Sequence, residues 1–166
     1  MSNSRSSLSV DECPAPGDAL TDMLGFQLFR LSSSIGTLGE RAAQELAGLT
    51  LPEYRCLAVL TTQGPLGVVA LCQVMSIDRA WVSRTLGKLA GKELVKMSGD
   101  PKDGRKVFAE PTTKGRRIAQ KLIERSTERQ AHLFEGLTDT EVTALRKMLY
   151  RIQRNADSLI LLTDKL

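Results

Sequence analysis

The sequence predicts a mainly α-helical fold with one small β-hairpin. Apolar residues recur at helical spacing toward both ends, and a helix-turn-helix pattern fills the middle. Two short apolar stretches then flank the charged turn Asp100-Pro101-Lys102-Asp103-Gly104-Arg105. The 166 residues suffice for one domain of ordinary size or a small domain with helical arms, and an apolar content of 42% is enough for a core.

Residues 1–17 are rich in Ser, Pro and small polar side chains, which bury too little surface to offset their ordering entropy, so a loose tail is expected. From Asp18 the pattern turns helical. Leu24, Leu28, Leu31, Ile35, Leu38 and Ala42 alternate steps of four and three, the spacing of a helix-helix seam. A second helix is predicted from Pro52 to Thr62, with proline at the first helical position, where its missing N–H costs nothing. Gly64-Pro65 turns the chain, and residues 67–75 offer Val68, Leu71, Cys72 and Met75 to a core. Ser76 and Asp78 both qualify as N-caps for the next helix.

That fourth helix, residues 79–91, is amphipathic on a wheel of about 100° per residue. Val82, Leu86 and Leu89 fall on one side. Ala80, Arg84, Gly87 and Lys88 project from the other, with Trp81 and Ser83 on the flanks. A helix with an apolar back and a small, basic front behind a tight turn is shaped to enter a major groove. The strands of the hairpin are expected at residues 94–97 and 106–109, which puts Lys102 and Arg105 at its tip, within reach of phosphates or the adjacent minor groove.

Two more helices follow, one beginning after Thr112 and running to about Phe134 and one from Thr138 nearly to the end. Thr138-Asp139-Thr140-Glu141 reads as a capping box, and Val142, Leu145, Leu149, Ile152, Ala156 and Leu159 form a stripe. Long apolar seams at both termini most simply bury each other across a two-fold axis.

The chemistry-bearing residues are few. Cys13, Cys56 and Cys72 have no metal-ligand spacing, and His132 is the only histidine, so no metal site and no cofactor are expected. There is no phosphate-binding glycine loop, no Gly-x-Ser-x-Gly elbow and no paired carboxylates in a recognisable cleft, which argues against an enzyme. With neither a signal peptide nor a membrane-length apolar run, a cytoplasmic protein without membrane association is expected. The net charge of +4 permits nucleic acid as a partner without demanding it.

From about Leu49 to Gly115 the chain resembles the multiple-antibiotic-resistance-regulator (MarR) family of winged-helix transcription factors. Leu49-Thr50, Gly64, Leu71, Asp78, Val82-Ser83-Arg84, Leu86, Leu89, Lys92, Leu94-Val95, Asp100-Pro101, Asp103, Arg105, Thr112 and Gly115 carry the likeness, through their joint spacing more than singly. The resemblance implies a winged helix-turn-helix DNA-binding domain at 48–115, and a helical dimerisation domain made by both termini, 18–47 and 116–166. It implies a homodimer on palindromic double-stranded DNA, acting as a repressor and released by a small organic effector such as a phenolic or aromatic acid.

By that resemblance Ser83 and Arg84 read bases, Arg105 enters the minor groove, and Asp103 orients the wing. Arg79, Ala80, Trp81, Lys88 and Lys102 complete the expected DNA-binding set. Trp81 stands where a small hydroxylated residue is usual; apolar contact with a thymine methyl and packing against Met75 or the wing are both open to it. Ala80, Gly104 and Pro111 also depart from the family pattern. Phe26, Arg30 and Tyr54 are the effector candidates, an arginine beside aromatic rings being suited to a carboxylate with an apolar body. The alternatives are a thiol-redox-responsive regulator acting through Cys13, or a winged-helix protein-interaction module without specific DNA binding.

Overall fold

The computed structural model describes residues 19–99 and 107–163. Cys13 in the tail, and Lys102, Asp103 and Arg105 at the hairpin tip, lie outside the described residues. A single 3-10 turn, Leu20–Asp22, precedes the first helix, α1 (Leu24–Ala47), which therefore starts later than Asp18 because Met23 is extended (φ −67°, ψ 137°). Gly48 ends α1 in the left-handed region (φ 60°), where the lack of a Cβ removes the steric cost, and Leu49 N–H returns to the Ala43 carbonyl.

Helix α2 (Leu51–Gln63) opens with a capping box. Thr50 accepts from the Glu53 N–H, and the Glu53 carboxylate accepts from the Thr50 N–H at 2.8 Å. Strand β1 (Leu66–Gly67), which the periodicity does not reveal, leads into α3 (Val68–Met75). Ser76 then turns the chain in the left-handed region (φ 53°), and α4 (Arg79–Gly91) follows with the predicted boundaries. Of the two candidate caps Asp78 takes the role, accepting from the Trp81 N–H at 2.9 Å.

Strands β2 (Val95–Gly99) and β3 (Val107–Pro111) form the hairpin, each displaced a residue or two toward the C-terminus of its expected range. The sheet is antiparallel with order β1-β3-β2, Leu66 facing Ala109 and Met97 facing Ala109 from the other side. Helices α5 (Thr113–Leu133) and α6 (Asp139–Thr163) complete the chain, the second capped by Thr138 and Glu141 as the sequence predicts.

One core gathers the middle of the chain. Leu57 and Leu60 of α2, Leu71 of α3, Val82, Leu86 and Leu89 of α4, and Ala119 and Leu122 of α5 are all buried together. Helix α1 joins it through Ala43, while Gly36 and Gly39 lie so near the Leu51 side chain that a Cβ on either would press against it. The apolar stripes of the terminal helices behave differently. Leu24, Leu31, Ile35 and Leu38 of α1 and Leu149, Ile152 and Leu159 of α6 are exposed, and α6 has no buried side chain among the described residues.

Candidate nucleic-acid interface

The two faces of α4 separate cleanly. Val82, Leu86 and Leu89 are fully buried, whereas Arg79, Ala80, Ser83, Arg84, Gly87 and Lys88 are exposed. Trp81 is half-buried and packs against the core at the N-terminal end of the helix. Among the described residues no carboxylate pairs with Arg79, Arg84 or Lys88. The hairpin base is different, because Glu110 holds both Lys96 at 3.1 Å and Arg116 at 3.2 Å. The hydrogen bond from Lys96, then that from Arg116, keeps the Glu110 carboxyl below the usual carboxylate range. Those two cations are thus neutralised in place, whereas the cations of α4 are not.

Between α4 and the sheet runs a groove of about 500 Å³, where Val68, Val69, Met97 and Phe108 meet Arg79 and Ser83. The exposed side of α4 and the hairpin therefore border one continuous concave surface. An α-helix flanked by a two-stranded ribbon can lie along a duplex with the helix in the major groove.

A second cavity, about 460 Å³, lies where α1, α2 and α5 meet the α3–α4 turn. Tyr54 lines it, its hydroxyl 2.6 Å from Ser126 Oγ, to which Arg129 donates at 2.7 Å. Phe26 and Arg30 are not brought to it. The nearest lining residue of α1 is Ile35, and at about 1.5 Å of rise per residue Arg30 lies roughly 7 Å and Phe26 roughly 13 Å farther up the helix. Phe26 instead meets Phe29, ring centroids 6.0 Å apart. The cations that do line the cavity are Arg55 and Arg129, which sequence reasoning missed. Arg129 lies far along the chain from Tyr54, so no local pattern joins them.

Among the described residues, neither the two thiols nor the histidine carries a reactive geometry. Burial pushes the Cys56 thiol up to about 12, and Cys72 is half-buried against the core. His132 stands exposed on α5, 3.9 Å from Glu135. No helix is long and apolar enough to cross a membrane among the described residues.

Residues 49–107 match the model of the MarR family. That part of the chain is similar to the MarR family. That segment spans α2, α3, α4, β1 and β2, the part of the molecule that holds both the buried core and the cationic helix. The chain is 32% identical over 75 residues, 45% of its length, to the HTH-type transcriptional repressor NicR of Pseudomonas putida, of which the match spans 48%. It is 26% identical over 129 residues to an HTH-type transcriptional repressor of Mycobacterium tuberculosis, covering 78% of this chain and 92% of that one. A transcriptional regulator of the MarR family from Rhodococcus sp. RHA1 superposes with a TM-score of 0.71 at 25% identity, over 82% of this chain and 96% of the other. The fold is a winged helix-turn-helix, with the small antiparallel sheet as its wing.

Proposed function

We propose that this chain is a dimeric transcriptional repressor of the MarR family that binds a palindromic promoter site through α4 and the wing. The observation that carries the reading is the exposed, unneutralised cationic face of α4, set over a fully buried Val82, Leu86 and Leu89. Ser83 and Arg84 read base edges, Arg79 and Lys88 meet phosphates, Ala80 allows close approach, and Trp81 keeps its outer edge available to a thymine methyl while its inner edge packs. Lys102 and Arg105 extend the contact from the wing, with Asp103 orienting it. The names of the two repressors above support the direction of regulation.

Dimerisation is supported by the exposed leucines and isoleucines of α1 and α6, an apolar surface that a second copy of the same helices would cover. The terminal helices then serve as the dimerisation domain and place two recognition helices about 34 Å apart, one turn of B-DNA. Release is assigned to a small organic acid in the cavity at Tyr54, its carboxylate held by Arg55 or Arg129 and its apolar body by Ile35, Val59 and Met75.

The test is fluorescence anisotropy against palindromes flanking the protein's own gene, at two salt concentrations, beside Arg84→Ala and Arg105→Ala. Each substitution is expected to weaken binding of one preferred site by roughly 1 to 3 kcal/mol. Binding indifferent to both arginines would favour a winged module that recognises protein.

A further inference from the structure

The C-terminal end of α4 is tied down more firmly than its other end. Lys92, the C-cap of α4, donates from Nζ to Glu53 Oε2 at 2.9 Å and to the Gly48 carbonyl at 2.9 Å. The same Glu53 oxygen accepts from the Thr50 N–H and from Thr50 Oγ1, and the residue is only 2% exposed. On the opposite side Lys114 Nζ donates to the Lys92 carbonyl at 3.1 Å, and Thr112 Oγ1 donates to the Glu93 carbonyl at 2.8 Å. Two turns thus converge on the end of the recognition helix, the α1–α2 corner and the start of α5. Its N-terminal end is held by the Asp78 cap and by the apolar packing of Trp81 and Val82.

Resting on the DNA-binding reading above, we infer that Lys92 is a positioning residue. With Glu53 it locks the end of α4 to the α1–α2 corner and sets the angle at which Arg79, Ser83 and Arg84 meet a duplex, without touching DNA itself. Two of its three donors are already engaged inside the protein. A phosphate contact would withdraw the lysine from a carboxylate that water barely reaches and that has no other cationic partner among the described residues.

The lever arm gives the inference its consequence. Thirteen residues of α-helix are roughly 20 Å long, so a tilt of about 10° at Lys92 displaces the Arg79 end by roughly 3 Å. That distance breaks short hydrogen bonds to base edges, whereas long cationic side chains still follow the phosphates. Losing the lock should therefore cost sequence specificity and spare non-specific affinity.

The experiment selects a preferred duplex from a randomised pool with the wild-type protein, then titrates Lys92→Met, Lys92→Arg and Glu53→Gln against it and against a scrambled duplex across a salt series. The ratio of the two affinities is expected to fall about tenfold in Lys92→Met and in Glu53→Gln, with the salt slope unchanged and Lys92→Arg close to wild type. Glu53→Gln retains acceptors for Thr50 and keeps the test valid if Lys92→Met fails to fold by circular dichroism. A salt slope reduced by about one in Lys92→Met would make the lysine a phosphate contact and overturn the inference. Equal weakening toward both duplexes, or none, would also overturn it. If no sequence is enriched by the wild type, the DNA-reading assignment itself fails and the inference falls with it.

Discussion

The middle of the chain and its ends bury their leucines in opposite ways. Leu57, Leu71, Leu86 and Leu89 sit in a closed core supplied by one chain, while Leu24, Leu31, Leu149 and Leu159 lie on helices that leave them exposed. The same residue type at the same helical spacing gives both results, so what differs is the number of elements converging on each. Helix α2 is packed by α1, α4 and α5 together, whereas α6 runs beside α1 across a shallow groove between Leu28, Leu31, Leu149 and Ile152. The middle closes its own core, and the ends leave an apolar surface open.

The sharpest way to break the middle alone is Gly115→Ala. A Cβ there would collide with the Leu94 carbonyl and press on Leu57, and backbone cannot step aside as a side chain can. A loss of about 3 kcal/mol or more is expected in denaturant unfolding. Next in size is a matched pair of truncations. Leu57→Ala should cost about 3 kcal/mol at any protein concentration. Leu149→Ala should leave the unfolding of a dilute sample nearly unchanged and lower the melting temperature only where subunits associate, a difference that a concentration series in calorimetry measures. Equal, concentration-independent losses would abolish the distinction between the two regions.

The two capping boxes offer a finer comparison. Thr50→Ala should cost about 1 kcal/mol, and Thr138→Ala measurably less, since its helix end is exposed to water that replaces the lost hydrogen bond. The smallest effect is in pH. Burial works to raise the pKa of Glu53, but the Thr50 N–H and the Lys92 ammonium outweigh it and leave the folded value lowered. A lowered folded value means the ionised carboxylate stabilises the fold above the ordinary carboxylate range. That contribution is lost as pH falls through about 4.3 toward the folded value. Wild-type stability should drop more steeply below pH 5 than that of Glu53→Gln, as urea midpoints at successive pH values would record.

What the sequence made legible follows the range of the interaction responsible. Helix α4 could be bounded at both ends because its apolar period, its Asp78 cap and its flanking turns lie within a few residues of one another. The hairpin was legible for the same reason. Strand β1 was not, since two residues carry no alternation and its partner Ala109 is distant in the chain. The box at Thr50–Glu53 has the spacing read at Thr138–Glu141, and that local signal was available. The pairing of Glu53 with Lys92 was not, because an ion pair across 39 intervening steps of chain leaves no periodic trace. The cavity shows the same limit: Tyr54 was found from its aromatic character, while Arg55 and Arg129 become its neighbours only once α2 and α5 pack.

The short strand β1 matters beyond its two residues. By pairing Leu66 with Ala109 it closes a loop that holds all of α3 and α4, so α4 lies inside a segment fastened at both ends by one sheet. Such a segment opens as a cooperative unit and does not fray from its own termini. Closing that loop also requires distant parts of the chain to meet before the sheet rewards them, so β1–β3 pairing costs more chain entropy than the local β2–β3 hairpin.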